Sequence, residues 1–197
     1  MPLEIAVVSK VPPGGRCTLY ARYADVLAAR DQLGSLVRPT PMLHSRVLSE
    51  RLGTTVLLKC ENLNRAGSFK IRGAFTRISR LSQEEKSRGV VAASAGNHAQ
   101  GVALASQKLG IAAKVYMPVG ASMPKLNATR GYGATVEQFG ATLDEAIVKA
   151  QAYAAQTGAV FIHPFDHPDI VAGQGTCGLE IVEQCPEVKT VVVSLGG

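Results

Sequence analysis

The regular alternation of short β-branched runs with longer amphipathic stretches, from Val56 onward, constrains the fold most. Strands that alternate with helices of about 10–15 residues are typical of βαβ units, so the alternation predicts an α/β fold with a mainly parallel sheet. The predicted strands are Val56–Lys59, Val90–Ala93, Ala113–Met117, Thr135–Phe139, Val160–His163 and Thr190–Ser194. The predicted helices are Ser68–Leu81, His98–Leu109, Met123–Arg130, Leu143–Thr157 and one that contains Gly178–Gln184.

Length and composition narrow the class of protein. A chain of 197 residues can bury a core, and an apolar content of 46% excludes disorder. No uncharged apolar run approaches the roughly 18–20 residues of a membrane span. The 21 Lys and Arg outnumber the 15 Asp and Glu, which gives a net charge of +6. These basic residues are dispersed and aromatic residues are few, so we expect no nucleic-acid partner.

The N-terminus and the cysteines bear on the cellular compartment. Glu4 and the short apolar run Ile5–Val8 do not fit a secretory signal. The cysteines form no C-x-x-C pair and no metal-ligand spacing. They are Cys17, Cys60, Cys177 and Cys185. We therefore predict a cytoplasmic protein with reduced thiols.

The predicted strand Val90–Ala93 leads into Ser94–Gly101, where small residues would let a ligand approach the backbone. Asn97 is predicted to cap the helix that begins at His98. Free N–H groups and the helix dipole at such a turn attract a carboxylate or a phosphate. We predict an anion site here, and an ordinary capped turn is the alternative.

Lys70 is a second candidate, at the end of the segment Asn64–Lys70 and close to the start of a predicted helix. Apolar Phe69 and Ile71 flank it, and Ser68 lies near the N-cap. Apolar surroundings and a helix N-terminus disfavour a charged ammonium, and a neutral amine is what Schiff-base chemistry needs. The alternative, which the local sequence by itself favours, is an exposed lysine on an amphipathic helix.

A third junction, Ser194–Gly197, follows the predicted strand Thr190–Ser194. Its glycines could open a nest of N–H groups that cradles a phosphate. The sequence ends at Gly197, inside a turn between a strand and a helix. We therefore expect it to be a piece of a longer chain.

Two other patterns are rejected as sites. Gly173–Gly178 matches G-x-G-x-x-G, but no good strand precedes it and no βαβ unit with a ribose-binding acid follows it. His163 and His167 have metal-ligand spacing, but Pro164 and Pro168 break any helix that would bring both rings to one face. We expect neither a dinucleotide nor a metal.

Four ordered segments together resemble the pyridoxal-phosphate threonine dehydratases, also called threonine ammonia-lyases. Glu61–Ala74 resembles their cofactor-lysine segment, and Ser94–Gly101 their loop for the substrate carboxylate and the cofactor. Pro164–Thr176 resembles a third family block. Val191–Gly197 resembles the strand that enters their glycine-rich phosphate cup, and Thr40–Pro41 matches an early Thr-Pro.

The resemblance runs from about Tyr23 to the last residue and implies a fold-type-II pyridoxal-phosphate enzyme. Such an enzyme has parallel three-layer sheets, here in a small domain and an incomplete large domain. Residues 1–22 would be an N-terminal lead-in, 23–89 and 170–197 the first parts of the large domain, and 90–169 the small domain. Because the family's catalytic domain is longer, we expect the 197-residue polypeptide alone to be poorly folded or inactive, and the full-length protein to be a homo-oligomer.

For the cofactor, pyridoxal 5′-phosphate, the resemblance implies five binding residues. Lys70 would hold it as a Schiff base, with Phe69 beside it. Asn97 would donate a hydrogen bond to its 3′ oxygen. Gly196 and Gly197 would begin the cradle for its phosphate.

For the reaction, the resemblance implies a small amino-acid substrate whose carboxylate is held at Ser94, Asn97 and His98, with Lys70 as general base. L-threonine would be dehydrated and deaminated to 2-oxobutanoate and ammonia, and L-serine to pyruvate and ammonia. Ala95 stands where related serine racemases place a second serine, which favours a dehydratase over a racemase. A non-catalytic α/β ligand-binding fragment is the alternative from another class. Isoleucine biosynthesis and a catabolic role both remain open.

Overall fold

The computed structural model describes residues 21–193 of the chain. Outside this range lie most of the predicted lead-in, Cys17, and the predicted phosphate cradle with Gly196 and Gly197. The helices are α1 Tyr23–Leu33, α2 Arg46–Leu52, α3 Lys70–Ser79, α4 Gln83–Arg88, α5 Asn97–Leu109, α6 Met123–Gly131, α7 Leu143–Thr157 and α8 Pro168–Gln184. The strands are β1 Met42–His44, β2 Leu57–Lys59, β3 Val90–Ala93, β4 Ala113–Met117, β5 Thr135–Gln138 and β6 Val160–Phe161.

The main sheet has the strand order β5-β4-β3-β6, and every pair in it is parallel. This confirms the predicted α/β class. Successive side chains of a strand point to opposite faces, and in β3 Val90 and Ala92 join the cluster with α5 while Val91 and Ala93 join the one with α7. With α5 and α6 on one face and α7 on the other, the sheet is the middle of three layers.

The second sheet, an antiparallel pair of β1 and β2, contains a strand that the sequence analysis missed. β1 is three residues long, and Leu43 at its centre is exposed. A strand this short has no room for the alternation that marks a strand in a sequence.

Helix α8 contains the predicted helical residues Gly178–Gln184 and extends back to Pro168. Proline is tolerated in the first turn of a helix, where its missing N–H would have no partner. Because α8 begins at Pro168, no helix contains both His163 and His167, as the sequence analysis predicted. None of the helices in residues 21–193 is long and apolar enough to cross a bilayer.

The glycine motif Gly173–Gly178 lies inside α8 and serves helix packing. A Cβ added at Gly173 would come within 2.6 Å of the Arg72 carbonyl oxygen and of Gly73 Cα. Gly173 thus lets α8 approach α3 closely.

The prediction of a buried strand at Thr190–Ser194 was wrong for the four residues that the structure describes, 190–193. Val191, Val192 and Val193 are exposed, Val192 by 93%. A strand needs a neighbour for its backbone hydrogen bonds, and none of the described strands pairs with this run.

Candidate active site

Lys70 is the first residue of α3, and the turn before it sets its position. The Gly67 N–H donates to the Asn64 carbonyl oxygen at 2.7 Å, and Gly67 adopts a positive φ of 71° that glycine tolerates best. The Lys70 N–H then donates to Ser68 Oγ at 3.4 Å. Phe69, rather than Ser68, occupies the N-cap.

The Lys70 amine is half-buried and faces a carbonyl instead of a carboxylate. Its Nζ donates a hydrogen bond to the Pro164 carbonyl oxygen at 2.9 Å and lies 5.3 Å from the centre of the Phe69 ring. No ion pair between described residues includes it. Burial lowers the pKa of this amine below the ordinary lysine value. This shift has the direction that a neutral-amine role for Lys70 would require.

The turn from Ser94 to Asn97 follows the carboxyl end of β3, where ligands bind in parallel α/β sheets. The Gly96 N–H donates to Ser94 Oγ at 3.0 Å, and Gly96 is the N-cap of α5. Asn97 is the first residue of the helix and not its cap, which corrects the sequence prediction. The Asn97 side chain is exposed and makes no hydrogen bond with the described residues.

His98 is buried beside this turn and is neutral near pH 7. Its Nε2 donates to the Ile162 carbonyl oxygen at 2.9 Å, because a carbonyl can only accept. Burial, with a smaller contribution from the charge of Lys70, lowers the pKa of His98 to about 4. The structure therefore brings Lys70 and His98 together.

The loop after β6 lies next to Lys70 and contributes the Pro164 carbonyl oxygen that accepts its hydrogen bond. His163 Nδ1 accepts the Asp166 N–H at 2.7 Å, which bends the chain, so β6 ends at Phe161 and not at the predicted His163. The bend directs the Pro164 carbonyl to Lys70. His167 Nδ1 accepts the Asp169 N–H and caps α8. No cluster of three or more His, Cys, Asp or Glu that could hold a metal occurs in the described part of the chain.

Arg72, two residues after Lys70, lies at the centre of a buried ionic network that the sequence analysis missed. Its guanidinium donates to both carboxylate oxygens of Glu61 at 2.8 Å, and to those of Glu180 at 2.6 and 3.0 Å. Lys59 Nζ donates to Glu180 Oε2 at 2.6 Å, and Thr40 Oγ1 donates to Glu61 Oε1 at 2.6 Å. The positive charges of Arg72 and Lys59 thus balance the negative charges of Glu61 and Glu180.

The pKa values in this network reflect the pairing. Burial alone would lower the pKa of Arg72 and raise that of Glu61. Hydrogen bonds and charge attraction within the network outweigh burial, so the pKa of Arg72 is raised and that of Glu61 is lowered. No spacing signal joins these positions, because Glu61 and Glu180 are 119 residues apart and meet only when α8 packs on α3.

Residues 33–197 match the family described as pyridoxal-phosphate dependent enzyme. The chain belongs to this family. It is 53% identical over 173 residues to an L-threonine ammonia-lyase of Thermotoga maritima, covering 88% of this chain and 43% of the relative. It is 46% identical over 173 residues to L-threonine dehydratase catabolic TdcB of Escherichia coli, covering 88% of this chain and 53% of the relative.

Among solved structures, maize serine racemase superposes with a TM-score of 0.81 at 36% identity, covering 85% of this chain and 51% of that one. The fold-type-II resemblance is thereby confirmed, and pyridoxal phosphate is the cofactor of the family. The chain spans about half the length of the curated relatives it matches.

Proposed function

We propose that this chain carries the lysine and the substrate-carboxylate turn of an ammonia-lyase that uses pyridoxal phosphate to dehydrate and deaminate L-threonine. The observation that carries the proposal is the Lys70 amine, half-buried, bonded to a carbonyl and with a lowered pKa. L-serine is the proposed second substrate. The products are 2-oxobutanoate or pyruvate, and ammonia.

The residues present fit the cofactor. A carboxylate beside Lys70 would hold the amine in its charged form, whereas the Pro164 carbonyl also accepts a hydrogen bond from a neutral amine. An amine that can lose its proton is what the aldehyde of the cofactor requires. Phe69, exposed by 39%, would flank the cofactor, and the unpaired Asn97 side chain would donate to its 3′ oxygen.

Bound pyridoxal phosphate supplies the electron sink for the charge left when the substrate loses its Cα proton. The residues of this chain do the remaining work. Lys70 Nζ would take up that proton. The N–H groups around Asn97 and His98, with Ser94, hold the substrate carboxylate at the positive end of α5. Orientation of this kind can lower the barrier by several kcal/mol.

A racemase is the second candidate, because maize serine racemase superposes so well on this chain. Ala95, the exposed residue after Ser94, has no proton to give at the position where racemases carry a second acid and base. The relatives at 53% and 45% identity are L-threonine ammonia-lyases. Both points support the lyase.

Chemical trapping tests the role of Lys70 without depending on turnover. The chain is incubated with pyridoxal phosphate, reduced with borohydride and digested, and the labelled peptides are identified by mass spectrometry. We expect the label on Lys70, its loss in Lys70→Ala, and its retention in Lys108→Ala at the far end of α5. A label spread over exposed lysines and unchanged in Lys70→Ala would refute the proposal.

Substrate competition tests the proposed amino acid in the same assay. L-threonine added before reduction should protect Lys70 from labelling, because its amine competes with Lys70 for the aldehyde of the cofactor. D-threonine consumes free pyridoxal phosphate equally and is the control. Ammonia released from L-threonine would support the lyase, and protection without ammonia would support a non-catalytic binding fragment.

A further inference from the structure

Lys125 brings an unassigned positive charge to the carboxylate turn. It lies in the first turn of α6, and its side chain crosses the backbone of Gly96. A Cβ added at Gly96 would lie 2.7 Å from Lys125 Nζ and 2.9 Å from its Cδ. The missing side chain of Gly96 is therefore the space that Lys125 fills.

This charge has no anionic partner among the described residues. None of the ion pairs in residues 21–193 includes Lys125, and its Nζ donates no hydrogen bond there. Lys114 of β4, by contrast, is paired with Glu137 of β5 at 2.8 Å. Lys125 is half-buried, so water screens its charge only in part.

The position is also electrostatically unfavourable in the absence of a ligand. A helix N-terminus carries a partial positive charge, and a cation there is destabilising. Lys125 lies in the first turn of α6, which has no acidic residue, and next to the N-cap of α5 at Gly96. Two helix ends and one ammonium thus converge, and a bound anion would relieve their repulsion.

We propose that Lys125 is a binding residue for the α-carboxylate of the amino-acid substrate at the Ser94–Asn97 turn. The inference rests on the proposed function and adds a charged side chain to a site otherwise made of N–H groups, Ser94 and Asn97. The backbone of the turn orients the carboxylate, and Lys125 supplies the attraction that selects an anionic substrate.

Ligand titrations followed by NMR test this residue without a requirement for turnover. The amide signals of Gly96 and Asn97 in the ¹⁵N-labelled chain are recorded while L-threonine is added. L-threoninol, which has a hydroxyl in place of the carboxylate, is the ligand control. The variants are Lys125→Met, Lys125→Arg and, as the matched control, Lys108→Met on the opposite end of α5.

We expect Lys125→Met to weaken L-threonine binding by about tenfold, as for a lost hydrogen bond to a charged group. Lys125→Arg should restore binding to within about twofold, and Lys108→Met should leave it unchanged. L-threoninol should bind no better to the parent chain than to Lys125→Met.

Each contrary result overturns a different statement. Equal binding of L-threonine by the parent chain and Lys125→Met refutes the role of Lys125 alone. Equal binding of L-threoninol and L-threonine refutes recognition of the carboxylate. If Lys125→Met weakens binding of inorganic phosphate and not of L-threonine, the charge serves a phosphate and the proposal is wrong. A parent chain that does not bind L-threonine refutes the proposed function as well.

Discussion

Two cations on the same helix, Lys70 and Arg72, have opposite environments. Lys70 Nζ has one hydrogen bond, to a carbonyl, and burial lowers its pKa. The Arg72 side chain is 1% exposed and donates to two carboxylates, and its pKa is raised. Within one turn of α3, Lys70 faces the proposed site without an anionic partner, whereas Arg72 faces α8 with its charge balanced by two carboxylates.

The difference separates a residue available for chemistry from one that holds the fold. An amine without a carboxylate partner can change its protonation state, whereas a guanidinium with two bidentate partners cannot. The Arg72 network also fixes the first turn of α3 against α8, which keeps the backbone of Lys70 in place. The three predictions below test this division on one scale, the free energy of unfolding.

Removal of Arg72 should have the largest effect. Arg72→Met leaves Glu61 and Glu180 buried without their main partner, and breaking a buried pair in this way costs about 3–5 kcal/mol. Arg30→Met is the matched control, since its pair with Glu183 is equally short at 2.7 Å but exposed by 45% and 53%. We expect the control to lose at most about 1 kcal/mol in urea denaturation. Equal losses in both variants would contradict a stabilising network.

Acidification should have the next largest effect, through His98. The pKa of His98 is about 4 in the fold, against 6.5 in an unfolded chain, so between these values only the unfolded state binds the proton. Stability should therefore fall as the pH drops from 6.5 to 4, by about 3 kcal/mol from this group. Urea denaturation at several pH values measures it.

His98→Gln removes the titrating ring and should flatten that part of the pH dependence. His44→Gln, at an exposed histidine of β1, is the control and should preserve the parent slope. If the slope of His98→Gln equals that of the parent chain, the neutral buried imidazole is not the cause.

Removal of the Lys70 charge should have the smallest effect. Folding places this ammonium in a partly buried site without a carboxylate, so Lys70→Met should not destabilise the chain and should raise its free energy of unfolding by up to about 1 kcal/mol. A loss of unfolding free energy comparable to that of Arg72→Met would show that Lys70 is a structural residue and would contradict the contrast between the two cations.

The sequence predicted the helices and strands around the site well where strong local patterns, such as apolar runs and helix-ending glycines, mark them. The bounds of β3, β4 and α7 agree with the predictions, because continuous apolar runs and the glycine after α7 mark them. The positions of Lys70 and Ser94 at helix starts and strand ends followed from the same order of elements.

Other features of the site could not be predicted, since they depend on contacts between distant segments. The hydrogen bond from Lys70 to Pro164 joins residues 94 positions apart. The contact between Lys125 and Gly96 joins two different βα units. Asn97 was expected to cap α5, but the N-cap is Gly96, whose N–H donates to the nearby Ser94 hydroxyl. The first two contacts depend on how distant segments pack in the folded chain, which the spacing of residues in the sequence does not show.

The runs Val90–Ala93 and Val191–Val193 show where the sequence alone is sufficient and where it is not. Both have the composition of a buried strand. The first is at most 2% exposed between two parallel neighbours, and the second is 48–93% exposed with no strand beside it in the described structure. The sequence by itself determined the α/β order of elements and the candidate residues, because periodicity and turn residues act locally. Only the tertiary structure decided which runs pair, which cations are neutralised and which remain available to a ligand, because burial and charge compensation depend on neighbours far away in the chain.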